Sequence, residues 1–211
     1  MKAESSSADL AIVAILRGLT PARAGDVAAV LHRAGIRIIE VPLNSPDPFT
    51  SIAKLATLRL ADCLIGAGTV LSAQDVQRTH EAGGRLVVAP NCDPTVIRAA
   101  LKLDMRAMPG VATATEAFQA IAAGACELKL FPAVSYGPAH LQALKSVLPA
   151  AVRVLPVGGI GAADIPAWLA VGAGGFGFGS ELFRPEYSLD EIDARAQRLM
   201  RALADARVQL L

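Results

Sequence analysis

The sequence predicts a single-domain α/β protein in which eight parallel strands, each followed by a helix, close into a (β/α)8 (TIM) barrel. Its 211 residues suit one domain better than two. The composition is 53% hydrophobic but only 4% aromatic, which is typical of aliphatic strands packed against Ala-rich helices. Short apolar segments recur roughly every 20–28 residues with helical segments between them, and this alternation favours a parallel sheet. An open, doubly wound sheet is the alternative.

The predicted strands are apolar or β-branched segments, each of which ends in a polar or Gly/Pro turn. They lie at 11–17, 36–42, 64–68, 86–90, 106–109, 127–131, 153–157 and 175–178.

The predicted helices have recognisable first and last residues. An N-cap followed by proline marks two starts, at Thr20-Pro21 and Asp93-Pro94. Capping-box spacing marks three more, at Ser72/Asp75, Thr113/Glu116 and Ser188/Glu191. Pro166 places a further cap at Asp164, and four helices are predicted to stop at Gly35, Gly83, Gly124 and Gly172. We expect one domain over residues 1–211, with a disordered N-terminal tail at 1–8.

Bulk properties argue against several classes of function. A formal net charge of +1 without basic clusters argues against a nucleic-acid partner. Three scattered cysteines and three scattered histidines predict reduced thiols, a cytoplasmic location and no metal site. The apolar stretch 10–16 is too short to span a membrane and lacks the features of a signal peptide.

Lys129 is the most informative residue, because it lies inside the apolar strand predicted at 127–131. Strand alternation places Leu128 and Leu130 on one face and Lys129 on the other. If both faces are covered, burial lowers the pKa of the ammonium, which favours a nucleophilic amine. A strand-edge lysine with its head in solvent is the structural alternative.

Glu40 is the matching residue on the second predicted strand. Alternation places it on one face with Ile38 and Pro42. Active sites of such barrels lie at the carboxyl ends of the strands, where Glu40 and Lys129 can meet. A buried ion pair is the alternative, but ion pairs stabilise cores poorly because desolvation costs several kcal/mol per ion.

Two glycine-containing turns predict a phosphate site. Gly158-Gly159 follow the seventh predicted strand and Gly179-Ser180 follow the eighth, where many barrels bind phosphate. Glycine lets backbone N–H groups approach an anion, although it also marks ordinary turns. Arg17, at the end of the first strand, is suited to grip a carboxylate or phosphate, and Thr69 can donate a hydroxyl hydrogen bond.

Seven motifs, spread over nearly the whole chain, resemble those of the class I KDPG/KHG aldolase family, which acts on 2-keto-3-deoxy-6-phospho sugar acids. They are AILRG at 14–18, IEVPLNSP at 39–46, IGAGTVL at 65–71, APN at 89–91, PGVATATEA at 109–117, LKLFPA at 128–133 and PVGGI at 156–160.

The resemblance implies a (β/α)8 barrel, a homotrimer and a reaction that needs no metal or organic cofactor. It implies Lys129 as the Schiff-base lysine and Glu40 as the general acid/base. The substrate contacts that it implies are Arg17, Thr69 and Pro90, with the phosphate at Gly158, Gly159, Gly179 and Ser180. The expected reaction is retro-aldol cleavage to pyruvate and glyceraldehyde 3-phosphate.

Two departures from the family pattern bear on the substrate. The branch that cleaves the gluconate-derived substrate (KDPG) usually has arginine at the position of Asn44 and threonine at that of Val157. Both changes resemble the branch that cleaves 2-dehydro-3-deoxy-6-phosphogalactonate, so we expect a role in D-galactonate catabolism. The KDPG epimer, or use of both epimers, is the alternative. Arg17 is expected to take over some anion binding, with the carboxylate and the phosphate both open as its ligand.

Two other interpretations have distinct consequences. A metal-dependent pyruvate aldolase would lose activity on treatment with EDTA. A non-catalytic sugar-phosphate-binding protein would bind the ligand without forming pyruvate.

Overall fold

The structure is a computed structural model that describes residues 11–209. The tail predicted at 1–8 lies outside the described residues. Strands and helices alternate, which confirms the α/β class. The strands are β1 (Ala11–Ile15), β2 (Ile38–Pro42), β3 (Leu64–Gly68), β4 (Leu86–Val88), β5 (Arg106–Met108), β6 (Gly110–Val111), β7 (Glu127–Leu130), β8 (Arg153–Pro156) and β9 (Gly175–Phe178). The helices are α1 (Ala24–Arg33), α2 (Pro48–Thr57), α3 (Ala73–Glu81), α4 (Pro94–Lys102), α5 (Ala114–Ala122), α6 (Ala133–Lys145), α7 (Ile165–Ala170) and α8 (Leu189–Val208), with a 3-10 helix at Ala162–Asp164.

All strand pairs within residues 11–209 are parallel, as predicted. One sheet has the order β5-β4-β3-β2-β1-β9 and is curled into a half-barrel, and a second has the order β6-β7-β8. The last strand therefore lies beside the first, whereas a doubly wound sheet reverses its strand order in the middle. Between the two sheets, the Gly174 amide donates to the Val154 carbonyl over 2.8 Å, and Val157 forms a parallel bridge with Gly177.

The fifth predicted strand, at 106–109, agrees with β5 to within one residue, whereas the short strand β6, which follows Pro109, was not predicted. Proline has no N–H to donate to a neighbouring strand, so the ladder is interrupted there. β5 pairs with β4, and β6 pairs with β7. The Pro109 carbonyl still accepts a hydrogen bond from the Lys129 amide, at 2.8 Å.

The strands separate two apolar clusters. The larger one lies between the strands and the helices and includes Ile12, Ala14 and Ile39. The smaller one contains side chains from five strands of both sheets, which alternate with those of the larger cluster: Val13, Ile38, Leu86, Val88, Met108 and Leu155. Strands covered on both faces explain why their sequences are almost continuously apolar.

Most of the predicted helix starts are confirmed, and one is wrong. Ser72, Asp93, Thr113 and Ser188 accept hydrogen bonds from backbone amides in the first turns of α3, α4, α5 and α8, and Asp164 is the N-cap of α7. The start predicted at Thr20-Pro21 is wrong. The Arg23 amide donates to the Thr20 carbonyl in a turn that contains Pro21, so α1 begins only at Ala24.

The predicted helix stops are also confirmed, since Gly35, Gly83, Gly124 and Gly172 have φ between +85° and +103°. One irregularity was not predicted. Gly137 has φ +73° inside α6 and is followed by Pro138, which kinks that helix. Among the described residues, no helix combines the length and apolar character needed to cross a membrane.

Candidate active site

Lys129 lies on the inward face of β7, with only 8% of its surface exposed. Its strand neighbours in register are Gly110 in β6 and Leu155 in β8. Burial lowers the pKa of the Lys129 ammonium below its usual value. Glu40 opposes this shift, and the positive charge of Arg17 adds to it. A lysine with a lowered pKa has a larger neutral fraction near pH 7, which is what a nucleophilic amine requires.

Glu40 lies in β2 and is 1% exposed. Burial raises the pKa of its carboxyl to about 7, although Lys129 and Arg17 both favour the charged form. Within residues 11–209, its Oε2 atom has no hydrogen-bond partner. The carboxyl fits beside β3 because position 68 is glycine, and a Cβ there would overlap its oxygens. Glu40 can therefore exchange a proton near neutral pH.

Glu40 and Lys129 line the same small cavity, of about 10 Å³, with apolar side chains such as Val13 and Leu155. Among the described residues, no ion pair with an N–O distance of 4.0 Å or less joins the two. The buried ion pair considered from the sequence is thus not formed as a direct contact. The amine of Lys129 and the carboxyl of Glu40 therefore face the same cavity without forming a direct ion pair.

A larger cavity of about 460 Å³ extends from Lys129 to both predicted phosphate turns. Gly158, Gly159, Gly179 and Ser180 all line it. Gly158 and Gly159 have φ of +97° and +73°, a conformation that side chains other than glycine rarely adopt. The structure therefore brings the predicted amine and the predicted phosphate turns to one cavity.

Arg17 also lines this cavity, although its side chain is exposed in the single chain. Its Nη1 donates a hydrogen bond of 2.6 Å to Oδ1 of Asn44. The next residue, Gly18, donates its amide to the Ser45 hydroxyl over 3.0 Å. The chain segments that follow β1 and β2 are thus joined at the rim of the cavity, with a guanidinium between them.

The structure does not place Thr69 or Pro90 on the lining of this cavity. Thr69 follows β3 with φ +55°, and Pro90 follows β4, so both lie near the carboxyl ends of strands, as predicted. The Pro90 carbonyl packs so closely against Gly110 that a Cβ there would overlap it.

Four polar side chains of the cavity were not predicted from the sequence: Glu181, Arg184, Tyr187 and Arg195. They come from the segment after β9 and from α8, whereas the site residues predicted from the sequence lie within strands or directly after them. Arg195 is held in place, because it donates to Glu191 and to the Glu181 carbonyl and stacks 4.3 Å from the Tyr187 ring.

In the described part of the chain, no group of three or more His, Cys, Asp and Glu side chains is arranged to hold a metal ion. The charged side chains that line the two cavities are Lys129, Glu40, Arg17, Glu181, Arg184 and Arg195, of which Glu181 forms an ion pair with Arg198.

The chain is similar to known proteins in both sequence and structure. The sequence matches the family described as "Aldolase: KDPG and KHG aldolase" over residues 4–196. It is 46% identical over 185 residues to a Rhizobium meliloti (strain 1021) protein named "Probable 2-dehydro-3-deoxy-6-phosphogalactonate aldolase", covering 88% of this chain and 87% of that one. It is 41% identical over 198 residues to the 2-dehydro-3-deoxy-6-phosphogalactonate aldolase of Escherichia coli (strain K12), covering 93% of this chain and 96% of that one.

A solved structure described as "Native KDPGal structure" superimposes with a TM-score of 0.92 at 39% sequence identity. The match covers 99% of this chain and all of the other. The sequence match extends over far more than half of the chain. The chain therefore belongs to the KDPG and KHG aldolase family.

Proposed function

We propose that this protein is a class I (Schiff-base) aldolase that cleaves 2-dehydro-3-deoxy-6-phospho-D-galactonate to pyruvate and D-glyceraldehyde 3-phosphate. As an aldolase it is a lyase, and its relatives from R. meliloti and E. coli are named for the galactonate-derived substrate. The observation that carries the proposal is that Lys129 is buried, has a lowered pKa and lines the same cavity as Glu40.

In the proposed first stage, the neutral amine of Lys129 attacks the C2 ketone of the substrate. A C–N bond forms, and the ketone oxygen takes up a proton to give a carbinolamine. Loss of that hydroxyl as water then gives a protonated imine. Glu40 can supply and remove these protons, because a carboxyl with a pKa of about 7 is present in both forms at neutral pH.

In the second stage, the protonated imine accepts electrons. Ionised Glu40 removes the proton of the C4 hydroxyl, and the C3–C4 bond breaks. Its electron pair forms the C2–C3 double bond of an enamine, while the π electrons of the imine move to the nitrogen. Glyceraldehyde 3-phosphate departs with C4 as its aldehyde carbon. Protonation of the enamine at C3 restores the imine, and water hydrolyses it to pyruvate and free Lys129.

The phosphate of the substrate is proposed to bind at Gly158-Gly159 and Gly179-Ser180. These residues line the same cavity as Lys129, and a glycine turn exposes backbone N–H groups to an anion. Arg17 at the rim adds a positive charge, and Thr69 and Pro90 are kept as proposed substrate contacts.

The preference for the galactonate-derived epimer rests on positions 44 and 157. Asn44 has no charge of its own and accepts a hydrogen bond from Arg17. Val157 lines the cavity beside Lys129 and offers a substrate hydroxyl no hydrogen-bond donor. A hydrogen bond to a substrate hydroxyl lets a site discriminate strongly against an analogue that does not offer that hydroxyl. A site with valine at this position lacks that means of discrimination.

The experiment that tests the substrate is a comparison of kcat/KM for the two C4 epimers, with pyruvate release measured through lactate dehydrogenase. A higher value for the galactonate-derived compound supports the proposal. A higher value for KDPG assigns the protein to the other branch, and equal values indicate a dual-epimer enzyme.

We also propose that the chain forms one (β/α)8 barrel domain in which the two sheets close on each other. The neighbouring positions of β1 and β9, and the bridge from Val157 to Gly177, support closure. A homotrimer and a cytoplasmic location complete the proposal. Cys63, Cys92 and Cys126 are free thiols, which is typical of reducing compartments.

A further inference from the structure

We propose that Arg184 is a substrate-binding residue that supplies a second cation for the phosphate group of the substrate, in addition to Arg17. This inference rests on the proposed function and deepens it. It concerns a residue outside every motif that relates the chain to its family.

Arg184 lies where two cavities meet. One is the cavity of about 460 Å³ that contains Lys129, and the other is a cavity of about 400 Å³ at the rim. Four residues line both: Arg17, Gly179, Ser180 and Arg184. Arg184 thus lines the same two cavities as the Gly179-Ser180 turn that is proposed to hold the phosphate.

The segment that carries Arg184 is fixed to the opposite side of the rim. The guanidinium of Arg23, which precedes α1, donates to the carbonyls of Pro185 and, over 2.6 Å, of Tyr187. The Pro185 ring packs so tightly on Gly18 that a Cβ there would overlap it. These contacts hold the backbone that directly follows Arg184, so the position of this segment does not depend on a substrate.

The side chain of Arg184 keeps its hydrogen-bonding capacity for a ligand. Over residues 11–209 its guanidinium makes no hydrogen bond. In the same range its one ion pair joins Nη1 to Oε1 of Glu186 over 4.0 Å, and the two side chains are 52% and 66% exposed. An exposed pair of that length contributes little. Arg195, in the same cavity, by contrast donates hydrogen bonds to Glu191 and to the Glu181 carbonyl.

The chemistry of arginine fits a phosphate. Its planar guanidinium can donate two parallel hydrogen bonds to phosphate oxygens, and it stays charged at every pH at which the enzyme would work. Ser180 and the backbone of its turn supply hydrogen bonds but no charge, so Arg184 and Arg17 would balance the phosphate dianion between them.

The test compares two ligands that both react at Lys129, of which one carries a phosphate. For wild type and Arg184→Gln, kcat/KM is measured with the phosphorylated substrate. Imine formation is measured as the pyruvate concentration that gives half-maximal trapping by borohydride. We expect Arg184→Gln to lower kcat/KM about tenfold, chiefly by raising KM. The pyruvate concentration that gives half-maximal trapping should stay the same. Arg184→Lys should recover part of the loss, because it restores the charge without the two parallel donors.

Arg98→Gln is the matched control, because Arg98 is exposed on α4 and does not line either cavity; it should leave both values unaltered. Arg23→Gln should lower kcat/KM in the same selective way if Arg23 holds the Arg184 segment in place. An unchanged kcat/KM in Arg184→Gln, or an equal loss for both ligands, would overturn the inference. Wild-type protein that traps no pyruvate at all would instead refute the proposed function.

Discussion

The residues that matter most are two ionisable groups whose environments move their pKa values toward neutrality. Burial lowers that of Lys129 and raises that of Glu40. Glu127, on the same strand as Lys129, is just as buried but has a structural role. It forms ion pairs with Arg106 and with Arg153, the latter at 3.3 Å. A buried ionisable group in contact with opposite charges forms a structural ion-pair network. A buried ionisable group without such a contact is available for chemistry.

Replacement of Glu40 by glutamine tests its proposed role in proton transfer. Glutamine has nearly the same shape, so the protein should keep its fold, but it cannot take up or release a proton at neutral pH. We expect kcat to fall by about a hundredfold to ten-thousandfold, with an unchanged circular dichroism spectrum. A folded variant with near-normal kcat would refute the acid/base role.

The pH dependence of the reaction should report the same carboxyl. Glu40 must be ionised to accept the C4 hydroxyl proton, and its pKa is raised to about 7. We therefore expect kcat/KM to fall as the pH decreases through about 7, and Lys129, which must be neutral, adds to the loss on the acid side. In Glu40→Gln the limb near pH 7 should vanish. A limb that stays at the same pH in that variant would identify another group as its source.

Strand β3 has glycine at two positions where atoms of the neighbouring strands lie close to its backbone. The backbone of β4 packs against Gly66, and the Glu40 carboxyl packs against Gly68, so a Cβ at either position would overlap another atom. The glycines of this predicted strand thus provide the surface against which the carboxyl of the candidate base packs.

Gly68→Ala tests this packing. The added methyl group should displace the Glu40 carboxyl and lower kcat about a hundredfold while the protein stays folded, since small displacements at a reacting centre have effects of that size. Gly25→Ala is the control, because a Cβ at Gly25 in α1 meets nothing within 4 Å. That variant should keep its activity and raise the free energy of unfolding by up to about 1 kcal/mol. Full activity in Gly68→Ala would show that the glycine does not position Glu40.

Elements with a local physical cause were predictable from the sequence. The Thr113/Glu116 capping box, the strand around Lys129 and the glycine at each predicted helix stop depend on neighbouring residues alone. Arg184 was not predictable, because Arg23 and Gly18, which hold its segment, are more than 160 positions away in the chain. The short strand β6 was not predicted, because it follows Pro109, whose missing N–H is a signal for the end of a strand.

At the scale of the whole molecule, side chains distant in sequence meet because parallel strands present their carboxyl ends at one side. That rule predicted the common location of Lys129, Arg17 and the glycine turns. It did not predict which of them line the cavity, since Thr69 and Pro90 follow strands but do not line it. Cavity shape depends on side-chain packing between elements, which strand order alone does not specify.

The proposed trimer gives a prediction for the assembly. Several large apolar side chains are exposed in the single chain, among them Phe118 at 45% and Val134 at 64%, and contact between chains would cover such surface. We expect light scattering to give a molecular mass about three times the 21.8 kDa of the chain. A mass equal to that of one chain, independent of concentration, would contradict the trimer.

Covalent trapping of pyruvate tests directly whether Lys129 forms an imine with that compound. The protein is incubated with pyruvate and sodium borohydride, its intact mass is measured, and the modified peptide is mapped. We predict one reduced pyruvyl adduct, on Lys129, which is lost in Lys129→Ala along with all turnover. It should be retained in Lys102→Ala, since Lys102 is an exposed lysine on α4. No adduct in folded wild-type protein, or an adduct on another lysine, would contradict the imine mechanism proposed for Lys129.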